Sequence, residues 1–408
     1  MPRGGPSRPL GKEDNRLSKV TKRGRLALLT ALVLVSIMAT GCYGQASMQN
    51  PGWTALTASD GVVYAALSTG QVTALSSQEG GAEIWLYPAS GGQKSPVGCG
   101  LPLSPKDDSG ESPLDAVYGL PVLSDGRLVL ASYDHHLYAF DRETGERTLT
   151  YPATESTLVD GPVIGGVTVD SDVAYFGSSD HKVYALDLTS SDLVWDAPFE
   201  TDDWVWGTPV LDAARVYIGS MDHSVYALDR SSGALEWSRD MGASVLGGVA
   251  LADGKVFVGT IDRHLYALDA ETGEQLWQSE QYDGWLWGTP LAADGRVFFG
   301  SLDGAVHAVD ASDGSAIWSQ TVDGAVRAGV VAHDDTLIAA TDTGKVYVIG
   351  MEAGDSEEAL AADGQVLSSP AVDSDGTVYV GTAEGKVYAL DLERRGDPTL
   401  WVYPPDKK

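Results

Sequence analysis

The chain has 408 residues, 43% of them apolar, and a formal net charge of −30 from 57 acidic and 27 basic residues. This length suits one large repeat domain or two ordinary domains, and the apolar content allows a large core without a membrane span. The negative charge repels nucleic acid and anionic lipid head groups, so we expect no nucleic-acid partner.

The N-terminus reads as a secretory leader. A basic stretch, 16–25, precedes an apolar run, 26–38, that is shorter than the roughly 20 residues a spanning helix needs. Ala39-Thr40-Gly41-Cys42 then resembles a bacterial lipobox, in which the cysteine is acylated and becomes the mature N-terminus. An uncleaved signal anchor is the alternative, and either places the protein on the outer side of a membrane. We predict a lipoprotein signal peptide at 1–41 and lipidation of Cys42.

A short β-pattern recurs about every 41 residues through the rest of the chain. Copies close to Val-Tyr-Ala-Leu-Asp have their tyrosine position at Tyr138, Tyr184, Tyr226, Tyr266, His307, Tyr347 and Tyr388. A fainter first copy reads Val72-Thr73-Ala74-Leu75. In-phase repetition at this period indicates stacked supersecondary units. After a tether at 42–50, we predict eight such units over 51–405.

Each unit reads as four short strands. Across 207–240, β-branched and aromatic runs alternate with Asp, Gly and Ser turns, which is typical of an antiparallel meander. Val225-Tyr226-Ala227-Leu228 is apolar on both faces, whereas a sheet with one wet face would alternate. Each sheet must therefore lie between two neighbours. We predict an all-β fold, an eight-bladed β-propeller of four-stranded antiparallel blades.

The turn between the last two strands carries its own signature, Asp-x-x-(Ser/Thr)-Gly. The aspartate can accept backbone N–H groups, and the glycine can supply a positive φ. A tryptophan follows in most units, as Trp85, Trp195, Trp237, Trp277, Trp318 and Trp401. We expect these six to pack across the seams between blades. Blade 2 has Leu149 instead, and blade 7 also lacks the tryptophan.

One long segment interrupts the repeat. Residues 89–114 are rich in Gly, Pro and Ser and contain Cys99. We predict a loop insertion between blades 1 and 2.

The repeat Tyr-Ala-Leu-Asp-x-x-(Thr/Ser)-Gly-x-x-x-Trp resembles the pyrroloquinoline-quinone-type propeller repeat. Residues 266–277 are a nearly complete copy, and the resemblance covers about 51–405. Such repeats occur in quinoprotein dehydrogenases, in the outer-membrane barrel-assembly (BamB-like) lipoproteins and in many other secreted propellers. A lipobox followed by one eight-bladed domain is most similar to the assembly lipoproteins.

The catalytic alternative is a quinone-dependent oxidoreductase. The resemblance implies that such enzymes hold the quinone beneath a disulfide of adjacent cysteines, with a calcium bound by Glu, Asn and Asp and an Asp as base. This chain has no adjacent cysteines and no haem motif, and its blades themselves are short, with none of the long insertions that would roof a cofactor. Zinc-protease, nucleophile-elbow and phosphate-loop motifs are missing as well. We therefore predict no enzyme activity and no cofactor.

Five histidines cluster at the turns between the second and third strands of blades 2 to 5. They are His135, His136, His181, His223 and His264. A metal needs ligands within about 2.1 Å, and turns on neighbouring blades are too widely spaced for that. Three Asp-His pairs occupy the place of Asp303-Gly304, and histidine tolerates the left-handed conformation better than most residues. We predict a structural role and no metal site.

The other five tryptophans all precede the first strand of a blade, the strand expected nearest the axis. Aligning that position gives Trp53, Tyr118, Asp160, Trp206, Leu246, Trp287, Arg327 and Leu367. Trp204 and Trp285 stand two residues earlier in blades 4 and 6. We predict that these side chains ring one mouth of the central channel. They either plug it or form a binding surface for protein, sugar or another small ligand.

Together these features predict a non-catalytic, membrane-anchored lipoprotein that acts as a monomeric protein-binding or scaffolding propeller. The predicted binding residues are Trp53, Tyr118, Trp204, Trp206, Trp285, Trp287 and Arg327. The resemblance implies a protein partner outside the cytoplasm, with outer-membrane protein assembly as its setting. The expected location is the cell envelope, on the outer side of the cytoplasmic membrane or the periplasmic face of the outer membrane. The alternatives are a quinoprotein oxidoreductase and a small-ligand or carbohydrate sensor.

Overall fold

A computed structural model describes residues 52–89, 112–153, 159–394 and 396–404. The predicted leader, the tether with Cys42, and most of the predicted insertion with Cys99 lie outside these ranges. Within them, no helix is long and apolar enough to cross a membrane.

The described residues form eight four-stranded antiparallel sheets, each a meander of strands in chain order, so the predicted eight-bladed β-propeller is confirmed. Blade 1 contains β1 to β4, Ala55–Ser59, Val62–Ala66, Val72–Ser76 and Ala82–Tyr87. Blade 2 contains β5 to β8, Val122–Ser124, Arg127–Ala131, Leu137–Asp141 and Arg147–Tyr151. Blade 3 contains β9 to β12, Thr168–Asp170, Val173–Ser178, Lys182–Asp187 and Phe199–Glu200. Blade 4 contains β13 to β16, Val210–Leu211, Arg215–Gly219, Ser224–Asp229 and Leu235–Asp240.

The second half of the ring repeats this arrangement. Blade 5 contains β17 to β20, Ala250–Ala252, Lys255–Gly259, Leu265–Asp269 and Gln275–Gln278. Blade 6 contains β21 to β24, Leu291–Ala293, Arg296–Ser301, Ala305–Asp310 and Ala316–Thr321. Blade 7 contains β25 to β28, Val331–His333, Thr336–Ala340, Lys345–Gly350 and Ser356–Ala361. Blade 8 contains β29 to β32, Ala371–Val372, Val378–Gly381, Val387–Leu390 and Thr399–Tyr403.

The hydrophobic core is divided into eight clusters, one between each pair of neighbouring blades. This arrangement explains why the central strands are apolar on both faces. The first strands of neighbouring blades contact one another, as β13 does with β17, so these strands are innermost. The last cluster joins blade 8 to blade 1, where Ser368 Oγ donates to the carbonyl oxygen of Thr54 at 2.7 Å. The ring is therefore closed.

The six seam tryptophans cross from one blade to the next. In each, the indole N–H donates to a backbone carbonyl of the following blade, as Trp237 Nε1 does to Ala270 O at 3.0 Å. The acceptor belongs to the turn after the third strand. In blade 5, Asp269 Oδ1 accepts the backbone N–H of Thr272 and its hydroxyl at 2.8 and 2.9 Å, and these bonds lower the pKa of Asp269. The turn and the tryptophan thus form one joint.

Blade 3 departs from the regular pattern in its outer strand. Trp195 lies just after an isolated bridge between Leu186 and Leu193, and β12 has only two residues. Pro198 precedes β12, and a proline has no N–H to give to a ladder. Blade 7 forms a six-residue outer strand although it lacks the seam tryptophan.

Candidate functional site

A cavity of about 640 Å³ opens where the eight blades meet. Its rim consists of one residue from each blade. In every blade, one residue of the first strand pairs with the middle residue of the second strand, and the rim residue lies four positions before it in the chain. We call this ring the collar: Trp53, Tyr118, Ile164, Trp206, Leu246, Trp287, Arg327 and Leu367. Seven of the eight positions are those aligned from the sequence.

The collar position predicted for blade 3 was wrong by four residues, because Ile164 occupies it and not Asp160. In blade 4, Val210 pairs with Tyr217, and the collar residue Trp206 stands four places before Val210. In blade 3, Thr168 pairs with Tyr175, so the equivalent residue is Ile164. Asp160 still lines the cavity, but from the loop that leads into the inner strand. The extra length of the connection from blade 2 to blade 3 misled the alignment.

Glycines just behind the collar let the inner backbones approach one another. A Cβ at Gly247 would lie 2.1 Å from the carbonyl oxygen of Trp287 in the next blade. A Cβ at Gly119, Gly165, Gly207 or Gly288 would lie 2.4–2.6 Å from a carbonyl oxygen of the neighbouring blade. A side chain at these positions would force the blades apart, so the glycines set the width of the channel beneath the collar.

Three collar rings contact other aromatic rings. Trp53 meets Tyr118 edge to face with centroids 5.2 Å apart, and Trp206 stacks on Trp204 at 5.3 Å. Trp206 Nε1 also donates to Ser179 Oγ at 3.0 Å, so both the plane and the direction of this indole are determined. Burial raises the pKa of Tyr118. The rings line the cavity without filling it.

The two outlying tryptophans differ in position. Trp204 is 41% exposed and lines the cavity beside Trp206. Trp285 is 48% exposed and is not part of the described lining. The structure therefore brings together six of the seven residues predicted to bind and leaves Trp285 outside their cavity.

Two charged side chains of opposite sign line the cavity. The Arg327 guanidinium carbon lies 6.0 Å from the centroid of the Trp287 ring, and Arg327 Nε is 3.5 Å from Asp342 Oδ2. Asp160 is exposed, and no basic side chain of the described residues pairs with its carboxylate. Blades 3 and 7, which carry these groups, are four steps apart in a ring of eight. The opening thus has the Asp160 carboxylate on one side and the Arg327–Asp342 ion pair on the opposite side.

The loops that carry the collar are tied to aspartates in the turns between the second and third strands. Asp222 Oδ2 accepts the backbone N–H of Asp202 at 3.0 Å and the hydroxyl of Tyr226 at 2.8 Å. Burial and the bond to Asp222 raise the pKa of Tyr226 to about 12. Asp180 holds the N–H of Asp160 in the same way at 3.0 Å.

Three histidines of these turns occupy left-handed backbone positions. His135, His181 and His223 have φ angles of 72°, 68° and 79°, close to the 84° of Gly304 in blade 6. In blade 5 the left-handed residue is Arg263, with φ 75°, and His264 follows it. Among the described residues, no group of three or more His, Cys, Asp or Glu side chains could hold a metal ion.

The described lining does not fit a calcium-bound quinone. Calcium takes six to eight oxygen ligands, several of them carboxylates. Asp160 is the one carboxylate among the described residues that line the cavity, and Asn is missing from that lining. We therefore derive no redox chemistry for this site.

Sequence reasoning missed residues that line the cavity from other positions. Tyr133, from the turn before Asp134, lies 6.0 Å from Tyr118, centroid to centroid. Thr208 and Thr289, two residues after collar positions, also line the cavity. Alignment at the residue before the turn aspartate would have found Tyr133, whereas the threonines look like ordinary strand residues.

Comparison with known proteins assigns the chain to a family. The family described as outer membrane protein assembly factor BamB matches residues 39–221, 194–325, 221–355 and 302–404. Because these matches cover nearly all of the propeller, the chain belongs to this family of pyrroloquinoline-quinone-type repeats, as its repeat predicts. No curated protein matches the chain in sequence.

Solved structures share the fold. The crystal structure of BamB from Moraxella catarrhalis is 19% identical, with a TM-score of 0.62 over 82% of this chain and 92% of that one. The computationally designed Ika8 protein is 14% identical, with a TM-score of 0.67 over 83% of this chain and 96% of that one. At these identities the likeness concerns the fold alone.

Proposed function

We propose that the protein is a non-catalytic scaffold of the cell envelope that binds an extracytoplasmic polypeptide at its aromatic collar. The observation that carries the proposal is the meeting of Trp53, Tyr118, Trp204, Trp206 and Trp287 around one open cavity. Tryptophan, tyrosine and arginine are the residues that protein contacts favour most. A role in the assembly of outer-membrane proteins is the setting that family membership supports.

The position of the predicted anchor supports the same proposal. The chain enters the propeller at Gly52, and the next residue, Trp53, belongs to the collar. Nine residues lie between Cys42 and Gly52, and the ten residue-to-residue steps that join them reach at most about 35 Å. Acylation of Cys42 would therefore hold Gly52, which precedes the collar residue Trp53, within about that distance of a membrane. A partner at or near the membrane surface is then within reach.

Binding of a defined unfolded polypeptide tests the proposal. A urea-unfolded outer-membrane barrel protein would be diluted into the full-length chain and its binding measured by fluorescence anisotropy. Trp206→Ala combined with Trp287→Ala should weaken binding at least about tenfold, because such anchors dominate interface energy. Both side chains are partly exposed at the collar, so the melting temperature should change by only a few degrees.

Leu235→Ala is the matched control, since Leu235 is 50% exposed on the outer strand β16, away from the collar. Its affinity should equal that of the unchanged protein. Undiminished binding by the double collar variant would refute the collar as the site.

A second candidate is binding of a small ligand, including a carbohydrate. The cavity volume of about 640 Å³ lies within the ordinary range for small-molecule sites. Thermal-shift measurements against a panel of sugars would favour this function if one sugar stabilised the protein and the double collar variant did not respond.

A further inference from the structure

We propose that the cavity receives a cationic side chain, arginine or lysine, of a basic polypeptide segment, and that collar rings hold it by cation–π contact. This inference rests on the proposed function and adds the chemistry of the segment that enters. Three independent observations support it.

The first observation is that the collar already carries a guanidinium on one of its rings. Arg327 lies over Trp287 at 6.0 Å from the ring centroid, within the distance at which the ring quadrupole attracts a cation. Its charge is balanced by Asp342 at 3.5 Å. The chain's own arginine shows that a collar indole and a nearby carboxylate together accommodate a cation at this rim.

The second observation is that other collar rings lack such a partner. Among the described residues, no cation lies over Trp53, Tyr118 or Trp206. Trp206 is stacked on Trp204 on one side, and its nitrogen is bonded to Ser179. An indole held in this way offers its ring to a ligand without a further loss of side-chain freedom.

The third observation is electrostatic. Asp160 lines the cavity as an exposed carboxylate, and within the described ranges no basic group pairs with it. The whole chain carries a net charge of −30, and a field of this sign raises the local concentration of cations and repels anions. The cavity thus offers a carboxylate and aromatic rings, the two kinds of group that Asp342 and Trp287 supply to Arg327.

An anionic segment is the competing occupant, because Arg327 could pair with a carboxylate. The two possibilities predict opposite effects of one substitution. If a cation enters, Arg327→Gln removes a like charge from the rim and strengthens binding. If an anion enters, the same change removes its counter-ion and abolishes binding.

The experiment uses the full-length chain and three blocked tripeptides, Ala-Arg-Ala, Ala-Gln-Ala and Ala-Glu-Ala, with binding followed by tryptophan fluorescence. We expect Ala-Arg-Ala to bind at least about fivefold more tightly than Ala-Gln-Ala, and Ala-Glu-Ala to bind most weakly. Trp206→Leu and Asp160→Asn should each weaken the binding of Ala-Arg-Ala by about three- to tenfold. Arg327→Gln should strengthen it about two- to fivefold. Raising the salt concentration should reduce the preference.

Trp285→Leu is the matched control, because this tryptophan is exposed outside the described lining, and it should leave the affinity for Ala-Arg-Ala unchanged. Equal binding of the arginine and glutamine peptides would overturn the proposal. Loss of binding in Arg327→Gln would overturn it in favour of an anionic occupant.

Failure here differs from failure of the proposed function. Suppose that the double collar variant no longer binds the unfolded polypeptide, while the unchanged protein shows no preference for the arginine tripeptide. The proposal that the collar binds polypeptide is then supported, and the proposal that a cationic side chain enters the cavity is refuted. If the unfolded polypeptide binds the double collar variant normally, both fall.

Discussion

Trp237 of blade 4 lies flat against the α-carbon of Gly273 in the turn of blade 5. A Cβ at Gly273 would come 2.6 Å from the indole ring, and the glycine has φ 70°. The same pairing joins Trp85 to Gly145 and Trp195 to Gly233. The glycine is therefore required twice, once by its left-handed backbone and once by the tryptophan that occupies its side-chain space.

The exception supports this explanation. Blade 2 has Leu149 in place of the tryptophan, and the following turn in blade 3 has Ser191 in place of the glycine, with φ 64°. A Cβ is present where no indole lies against it. The seam is thus specified by a pair of residues in two neighbouring blades, not by either one alone.

Gly273→Ala should lower the free energy of unfolding by about 2–5 kcal/mol. The left-handed conformation costs alanine about 1–2 kcal/mol, and overpacking against Trp237 adds about 1–3 kcal/mol. Gly254→Ala is the control, because Gly254 has φ 69° with nothing within 4 Å of a Cβ. Urea unfolding of both variants measures the difference. Equal losses would show that the indole does not occupy the space assigned to it.

Leu149→Trp and Ser191→Gly should be coupled. The tryptophan alone meets the Ser191 side chain and should lower the free energy of unfolding by about 1–3 kcal/mol. Together the two changes recreate the packing of a tryptophan on a turn glycine that the other blades have. In a double-mutant cycle, we expect the free energy of unfolding of the double variant to be about 1–2 kcal/mol higher than the sum of the two single changes predicts. Simple additivity would contradict the proposed pairing.

Acid should destabilise the protein through His307. This histidine replaces the repeat's tyrosine in blade 6, is 5% exposed, and contacts Ser301 Oγ at 3.0 Å and Ser319 Oγ at 2.8 Å. Burial lowers its pKa to about 4 from an ordinary 6.5. Between these values the unfolded chain binds a proton and the folded one does not, so this stability is complete above pH 6.5 and falls as the pH drops towards 4.

The loss should reach about 2–4 kcal/mol at pH 4, at about 1.4 kcal/mol for each pKa unit. His307→Gln stays neutral throughout and should lack this component while keeping the acid dependence due to carboxylates. Unfolding free energies at pH 7 and pH 5 measure it. An unchanged difference between the two pH values in His307→Gln would exclude His307 as the source.

Asp222→Ala should loosen the loop that carries Trp204 and Trp206. The carboxylate accepts hydrogen bonds from the N–H of Asp202 at 3.0 Å and from the hydroxyl of Tyr226 at 2.8 Å. Its loss should lower the free energy of unfolding by about 2–3 kcal/mol. Binding of the unfolded polypeptide should weaken as well, because the collar tryptophans lose their support. Asp196→Ala, at an exposed carboxylate, should stay within about 0.5 kcal/mol. If both variants behaved alike, the tie from Asp222 would have no role in holding the loop.

The amino-acid sequence by itself determined the number of blades, the meander within each and the seam tryptophans. These depend on spacing within one repeat: short strands that are apolar on both faces, a turn aspartate and a glycine four residues later. Such short-range rules act on neighbouring residues, so seven in-phase copies close to Val-Tyr-Ala-Leu-Asp and a fainter first copy, most of them followed by a Trp, were enough. The left-handed histidines, which stand where blade 6 has Gly304, were read correctly for the same reason.

Only the tertiary structure decided which side chains share the cavity. Ile164, not Asp160, is the collar residue of blade 3, because strand pairing with Tyr175 sets the register and the longer connection from blade 2 hides it. Trp204 lines the cavity and Trp285 does not, although both stand two residues before a collar tryptophan. The register of blade 3 depends on its own strand pairing, whereas the shared cavity depends on how eight inner strands converge on one axis, a relation between residues of different blades that no single repeat contains.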